Sequence, residues 1–90
     1  MPRVDDVGAV LGERHATHGD FSENARVSQA IKQVFRATRN WPSLTDTQRE
    51  ALEMIALKLS RFLTGDAGNA DHLVDLVGYA TLIIKENERR

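Results

Sequence analysis

A chain of 90 residues with 41% hydrophobic residues holds enough apolar side chains for one small core, so we predict a single domain over residues 1–90 rather than a disordered chain. The formal net charge of −1 excludes a general electrostatic attraction to nucleic acid or to anionic membranes. The chain has no cysteine, no apolar core in its first residues like that of a signal peptide, and no uncharged run of the roughly 20 residues that span a bilayer, so we expect a cytoplasmic protein without a membrane partner.

The first half of the chain predicts two helices. The first covers about residues 4–15, where valine and leucine recur at helical spacing. The second follows a capping-box pattern, with Asp20 as the cap and Glu23 three residues later, and continues to about Asn40. Pro42 then breaks the helix, because the residue before proline is pushed out of helical geometry. The second helix also carries a basic face, formed by Arg26, Lys32, Arg36 and Arg39.

The second half of the chain predicts two further helices. The third covers about residues 46–63 and begins with a capping-box pattern of Thr45 and Gln48. The fourth covers about residues 70–87, with Asn69 as its cap. Since the connection between them is short, we expect an antiparallel hairpin. The predicted fold is therefore all-α, a four-helix bundle-like domain with this hairpin at its centre.

The fourth predicted helix is unusually apolar from Leu73 to Ile84. A helix that is apolar all round is buried on most sides, and one layer of four helices hardly surrounds a central one. We therefore expect a homodimer or a tetramer in which this helix also meets a partner subunit. The alternative is a monomer with one over-hydrophobic helix.

Two charged residues stand alone in these apolar surroundings. Lys58 is the only charge between Met54 and Ser60, and Asp75 is the only charge between Leu73 and Ile84. An unpaired charge in an apolar environment is expensive. One interpretation is a buried Lys58–Asp75 ion pair that sets the register of the hairpin.

A second interpretation is a magnesium site, because two carboxylates lie on each helix of the hairpin. Mg²⁺ takes hard oxygen ligands, usually a few carboxylates together with waters and substrate phosphate oxygens. Lys58 and Arg61 would then contact the phosphate groups and offset their charge. The candidate metal ligands are Glu50, Glu53, Asp71 and Asp75.

Three segments of the chain, residues 14–24, 58–61 and 71–80, resemble a family of small phage and prophage proteins. The most distinctive part is a Lys-x-x-Arg motif at residues 58–61, followed by Asp-x-x-x-Asp-x-x-Gly-Tyr at residues 71–79. The resemblance implies a phage or prophage protein in the cytoplasm of a bacterial host cell.

More remotely, the chain is similar to the MazG-like all-α nucleotide pyrophosphatases. These enzymes bind Mg²⁺ through Glu-x-x-Glu on one helix and Glu-x-x-Asp on the next, and they split nucleoside triphosphates into monophosphate and pyrophosphate. Glu50 and Glu53 match the first motif, whereas Asp71 and Asp75 depart from the second in spacing and in the first residue type. The resemblance implies a Mg²⁺-dependent nucleoside triphosphate pyrophosphohydrolase that works as a dimer or tetramer.

Other functions compete with hydrolysis. The first is a non-catalytic, homo-oligomeric interaction or accessory protein in which Lys58 and Asp75 form only a structural pair. A weaker alternative is a nucleic-acid accessory protein that uses the basic face and Trp41, although the slightly acidic net charge counts against it. We expect His72 to be an exposed residue of a first helical turn. The pattern of His15, His18, Asp20 and Glu23 fits no standard zinc spacing, so we expect ordinary surface residues there.

Overall fold

The computed structural model describes residues 20–88, which form three α-helices, one short 3₁₀ helix and no strand. This confirms the all-α class, but the described residues make a three-helix arrangement rather than a four-helix bundle. The first predicted helix, residues 4–15, lies outside the described residues. None of the three helices has the length and apolar content of a membrane span. In chain order the elements are α1 (Phe21–Arg36), the 3₁₀ helix (Trp41–Ser43), α2 (Asp46–Thr64) and α3 (Asp71–Glu88).

Helix α1 begins at the predicted cap and ends early. The Asp20 carboxylate accepts a hydrogen bond of 3.0 Å from the backbone N–H of Ser22, which confirms Asp20 as the cap. The helix stops before the predicted end at Asn40, because its last turn tightens. Thr38 donates both its backbone N–H and its hydroxyl to the carbonyl of Phe35, at 3.1 and 2.5 Å. A threonine hydroxyl that competes for a helical carbonyl in this way favours the end of the helix.

The turn after α1 is held by stacked side chains. The Trp41 ring stacks on Phe35 with centroids 6.2 Å apart, and the Arg49 guanidinium lies 5.8 Å from the Trp41 ring centroid. Arg49 also donates hydrogen bonds to the carbonyls of Trp41 and Pro42, at 3.2 and 2.8 Å. The predicted break at Pro42 is confirmed, and Trp41 packs between Phe35 of α1 and Arg49 of α2.

The start of α2 is capped as the sequence predicts. The Thr45 hydroxyl accepts from the backbone N–H of Gln48 at 3.1 Å, and the Gln48 side chain accepts in return from the backbone N–H of Thr45 at 2.9 Å. The same two residues reach the end of α3: Gln48 donates to Asn87 at 2.9 Å, and the Thr45 hydroxyl lies 3.0 Å from a carboxylate oxygen of Glu86. Helices α2 and α3 are therefore antiparallel, which confirms the predicted hairpin.

Helix α2, and not α3, is the central helix of the described chain. It packs against both other helices, whereas α3 packs mainly against α2. Within residues 20–88 only one side of α3 has a neighbouring helix, so the contact of this helix with a partner subunit stays a prediction. The one buried residue of α3 is His72. The exposed apolar residues of this helix are Leu73, Val74, Val77, Leu82 and Ile84.

The interior of this three-helix arrangement is made of small and polar residues. Ala51 and Ala56 are the only buried apolar residues of the described chain, at 5% and 0% exposure. Larger apolar side chains of the helices are only half-buried or lie outside. The remaining buried residues are Asn24, Ser28, Gln48, Ser60 and His72. Since buried polar groups need hydrogen-bond partners, this interior specifies how the helices sit against one another.

Replacing Thr45 by alanine should lower the free energy of unfolding by about 1 kcal/mol, because a helix N-cap is lost. Loss of the contact with Glu86 adds to this effect. Urea denaturation followed by circular dichroism measures the change. Thr47→Ala is the matched control, since Thr47 is an exposed threonine of the same first turn. Equal losses in the two variants would contradict the role assigned to Thr45.

Candidate functional site

The Lys58–Asp75 ion pair joins α2 to α3. The Lys58 ammonium lies 2.9 Å from a carboxylate oxygen of Asp75, and the two side chains are 14% and 47% exposed. An ammonium group that is this far removed from water is costly unless an acceptor compensates it. The predicted pair is present and joins α2 to α3, but it is not buried as predicted, because Asp75 is exposed.

Asp75 stays ionised because of the cations around it. The hydrogen bond from Lys58 and the charge of Lys58 lower the pKa of this carboxyl below its ordinary value of 3.8, against a smaller opposing effect of burial. The charges of His72 and Arg61 lower it further. Three basic side chains from two helices therefore act on this one carboxylate.

His72 and Ser60 belong to a buried polar seam between the helices. His72 is only 2% exposed, so the expectation of an exposed first-turn histidine is wrong: His72 is on the covered side of the first turn of α3, whereas its neighbours Asp71 and Leu73 are exposed. Ser60, which is fully buried, lies 2.7 Å from the carbonyl oxygen and 2.6 Å from the side-chain oxygen of Asn24 on α1. Sequence reasoning missed Ser60 and Asn24. The sequence held one sign of Asn24's burial. Asn24 precedes Val27 by three residues, so helical spacing puts it on the same face as the apolar stripe of this helix.

Glu53 points to α1 and not to α3. Its carboxylate lies 2.8 Å from the guanidinium of Arg36, with the two side chains 26% and 47% exposed. An ion pair this exposed adds little stability, about 0–1 kcal/mol, but it orients Glu53. Glu53 is therefore on the side of α2 that faces α1, whereas Lys58 is on the side that faces α3.

Glu50 lies in a different place, at the opposite end of the hairpin from Asp71. It lines an open groove of about 420 Å³ near the start of α2. Because Glu50 precedes Lys58 by eight residues, it is displaced from the level of Asp75 by about 12 Å along the helix. The residues that line this groove are Asp46, Thr47, Glu50, Ala51, Tyr79 and Leu82.

The structure thus brings together only part of the predicted site. Asp75 is beside Lys58 and Arg61. Asp71 is exposed in the first turn of α3, and its backbone N–H donates a hydrogen bond of 3.0 Å to the Asn69 side chain. The two glutamates do not join the two aspartates within one chain. Across residues 20–88, no group of three or more histidine, aspartate or glutamate side chains is arranged to hold a metal ion. Binding of Mg²⁺ by these four carboxylates stays a prediction.

The other sequence-predicted residues are only partly within the described range. His15 and His18 lie outside the described residues, and Asp20 is occupied as the cap of α1. Of the basic face on α1, Arg36 is bound to Glu53. Lys32 is half-buried, and Arg26 and Arg39 are exposed. Three of the four basic residues are therefore exposed, and one of these, Arg36, is engaged by a carboxylate of α2. The nucleic-acid alternative stays a prediction.

Folding stability should fall in acid because of Asp75. A carboxyl whose pKa is lower in the folded than in the unfolded chain stabilises the fold above its unfolded pKa and loses that contribution as the pH falls through the folded value. We expect Asp75→Asn to be less stable than wild type near pH 6, and the difference to shrink between about pH 5 and pH 3. Urea denaturation at several pH values measures it.

The control for this experiment is Glu50→Gln, which removes an exposed carboxylate of the same hairpin. This variant should show no comparable convergence with wild type. A difference between wild type and Asp75→Asn that stays constant down to pH 3 would contradict the stabilising role of the ionised Asp75.

A titration with Mg²⁺ or Mn²⁺ should not produce one common set of amide NMR shifts at the four candidate ligands. The reason is their separation: Glu53 is held by Arg36, and Glu50 lies about 12 Å along the hairpin from the level of Asp75. A single saturable set of shifts that includes all four residues would contradict this expectation. It would show that the ion, or a second copy of the chain, draws the carboxylates together. The four residues to follow are Glu50, Glu53, Asp71 and Asp75.

Comparison with protein families gives a match. No curated protein and no solved structure matches this sequence. One family model matches residues 6–86, a range that includes nearly all of the three described helices and both Lys58 and Asp75. The family is described as a domain of unknown function. Since the match covers most of the sequence, the chain belongs to the DUF6378 family.

Proposed function

We propose that this chain is a non-catalytic association module, a helical hairpin that binds a second copy of itself through one face of α3. One observation carries the proposal, namely a stripe of exposed residues along that helix. Val74, Val77 and Ile84 are 65%, 62% and 57% exposed, and Thr81 lies between them and is also exposed. We call these four residues the α3 stripe.

The spacing of the α3 stripe is that of helices that pair with helices. Its members follow one another at steps of three, four and three residues, which is the repeat of a two-helix seam. The stripe lies on the side of α3 away from α2, since His72, Leu76, Tyr79 and Ile83 occupy the covered side. Burial of apolar surface contributes about 25 cal/mol per Å², so a second helix against this stripe would stabilise a small domain whose own core is thin.

Gly78 supports a close approach by another helix. It lies in the middle of α3, where glycine costs about 1 kcal/mol relative to alanine. A β-carbon at this position would meet nothing within 4 Å in the single chain, so packing inside the chain does not require glycine there. Contact with the backbone of a second helix would use the space that a side chain otherwise takes.

The charges beside the stripe fit an antiparallel pair. Asp71 and Lys85 are both exposed and lie two heptads apart, on the same side of the α3 stripe as Gly78. A twofold axis near Gly78 places Val74 against the partner's Ile84, and it places Asp71 near the partner's Lys85. Such a contact is self-complementary and closes as a dimer.

Lys58 and Asp75 have a supporting role in this proposal. Their pair holds α3 on α2 in one register, so the same residues of α3 always face outward. Removal of one partner from a half-buried pair leaves the other charge uncompensated. In this proposal the pair keeps the α3 stripe on the outer side of the hairpin, and it takes no part in catalysis.

Nucleotide hydrolysis, the function implied by the MazG-like resemblance, needs its four carboxylates around one ion. Within one chain, Glu53 is held by Arg36, and Glu50 is far along the hairpin from Asp75. The geometry therefore favours association over pyrophosphohydrolysis. The phage or prophage origin and the bacterial cytoplasm that the resemblances imply are retained as parts of the proposal.

The test of association is the mass of the purified chain in sedimentation equilibrium. We expect wild type to be a dimer and Val77→Asp to be a monomer, because the aspartate places a charge in the seam. Val34→Asp is the matched control, since Val34 on α1 is also valine and is 65% exposed. A wild-type monomer at hundreds of micromolar, or equal weakening by both variants, would overturn the proposal.

A charge exchange tests the antiparallel geometry separately. Asp71→Lys alone and Lys85→Asp alone should each weaken the dimer through like-charge repulsion with the partner. The double variant restores opposite charges across an antiparallel seam, so its dissociation constant should return toward that of wild type. A dimer that the single variants leave unchanged would retain association and contradict this arrangement.

A further inference from the structure

Helix α2 has a neighbouring helix on two of its sides. The Ser60 hydroxyl lies 2.7 Å from the backbone carbonyl of Asn24 on α1, and Lys58 is paired with Asp75 of α3 at 2.9 Å. Residues two apart on a helix point to different sides, so α1 and α3 lie on different sides of α2. They have little contact with each other. The three described helices therefore form a layer with α2 in the middle, and within residues 20–88 no helix lies above or below α2.

One open side of α2 is apolar. Leu52, Leu59 and Leu63 follow one another at steps of seven and four residues, so they share one side of the helix. Leu52 and Leu59 are half-buried, and Leu63 is 66% exposed. Glu50 and Arg61, each two residues from one of these leucines, lie on the opposite side. The layer thus has one apolar surface and one charged surface along α2.

Helix α1 continues the apolar surface on one flank. Val27 and Ile31 are one turn apart, and both are half-buried. Arg36 follows Val27 by nine residues, about two and a half turns, so it lies on the opposite side of α1. There it is bonded to Glu53 of α2. Val27 and Ile31 therefore border the α2 leucines rather than the charged surface.

Helix α3 continues the apolar surface on the other flank. Leu73 and Ala80 precede Asn87 by fourteen and seven residues, which places all three on one side of α3. Asn87 accepts a hydrogen bond from the side chain of Gln48, which lies one turn before Leu52 on α2. This side of α3 therefore meets the leucine side of α2. We call the surface formed by the three α2 leucines and their neighbours Val27, Ile31, Leu73 and Ala80 the leucine face.

The chain itself contains a segment of suitable length and pattern to cover the leucine face. Residues 4–15 lie outside the described residues, and their sequence predicts a helix with a stripe of Val4, Val7 and Leu11. A helix of twelve residues is about 18 Å long, and the three α2 leucines extend over about 17 Å. The family match begins at residue 6, so most of this segment belongs to the same family domain as the described helices.

The point at which this segment joins α1 also fits. Asp20 caps α1, and the contact between Asn24 and Ser60 puts the start of α1 beside the end of α2. Residues 16–20 span at most about 17 Å, so residue 15 stays near this end of the layer, where Leu63 lies. A helix that ends there and lies along the layer is parallel to α2.

We infer that residues 4–15 bind the leucine face as a helix parallel to α2, with Leu11 near Leu59 and Val4 near Leu52. This contact removes apolar surface of both partners from water, which is the main force that holds helices together. The contact lies over α2 and leaves the α3 stripe uncovered. It goes beyond self-association, and the two proposals can fail separately.

Crosslinking of the full chain tests this contact on a background without cysteine. In the double variant Leu11→Cys with Leu59→Cys, a short bismaleimide should join the two positions within one chain. Leu11→Cys with Leu57→Cys is the matched control, since Leu57 is also a half-buried leucine and lies two residues away, on another side of α2. We expect at least about tenfold more internal crosslink in the first variant, because a linker joins only positions that it can span.

Peptide mass analysis after proteolysis separates the outcomes. Equal internal crosslinking in the two double variants would overturn the inference. Crosslinks that join two chains in the first variant would also overturn it, since a second copy would then cover the leucine face. Circular dichroism of both variants before crosslinking checks that they fold.

A milder variant provides a second measurement that does not depend on the cysteine substitutions. Val7→Ala should shift amide NMR signals of residues 52–63, because it alters a side chain in contact with the leucine face. Ala9→Ser, on the opposite side of the predicted helix, should leave these signals in place. Shifts confined to residues 4–15 in Val7→Ala would contradict the inference.

Discussion

The ion pair between Lys58 and Asp75 fixes how α2 and α3 lie against each other in the loop half of the hairpin. A half-buried ammonium needs an acceptor, and the only one that α3 provides at this level is Asp75. Once these two residues are level, antiparallel geometry places the start of α2 against the end of α3, as the bond from Gln48 to Asn87 shows. This register determines which carboxylates of α2 and α3 lie close to one another. It places Glu50 far from Asp75 along the hairpin.

The interior around this pair explains why the chain exposes so much apolar surface. Ser60 and His72 are buried polar residues, and Ala51 and Ala56 are too small to form a large core. Hydrogen bonds such as that from Ser60 to Asn24 give this interior specificity, but they contribute little net stability. The larger apolar side chains stay outside, above all on α3. A second copy of the chain is a natural source of the missing burial.

The α3 stripe and the Lys58–Asp75 pair lie on different sides of α3. The α3 stripe faces outward and has the spacing of a helix seam, whereas Arg61 lies on the covered side near His72. For a family described only as a domain of unknown function, the exposed α3 stripe is a feature that single substitutions can test.

The sequence by itself determined the local features of this protein. Capping patterns at Asp20 and Thr45, the break at Pro42, and the isolated charges of Lys58 and Asp75 all depend on neighbours along the chain, which the residue order shows directly. Only the tertiary structure decided the partner of Glu53, the burial of His72 and the outward direction of the α3 stripe. Spacing along a helix shows which residues share a face. It does not show which other helix that face meets or at what level, because those depend on packing between segments far apart in the sequence.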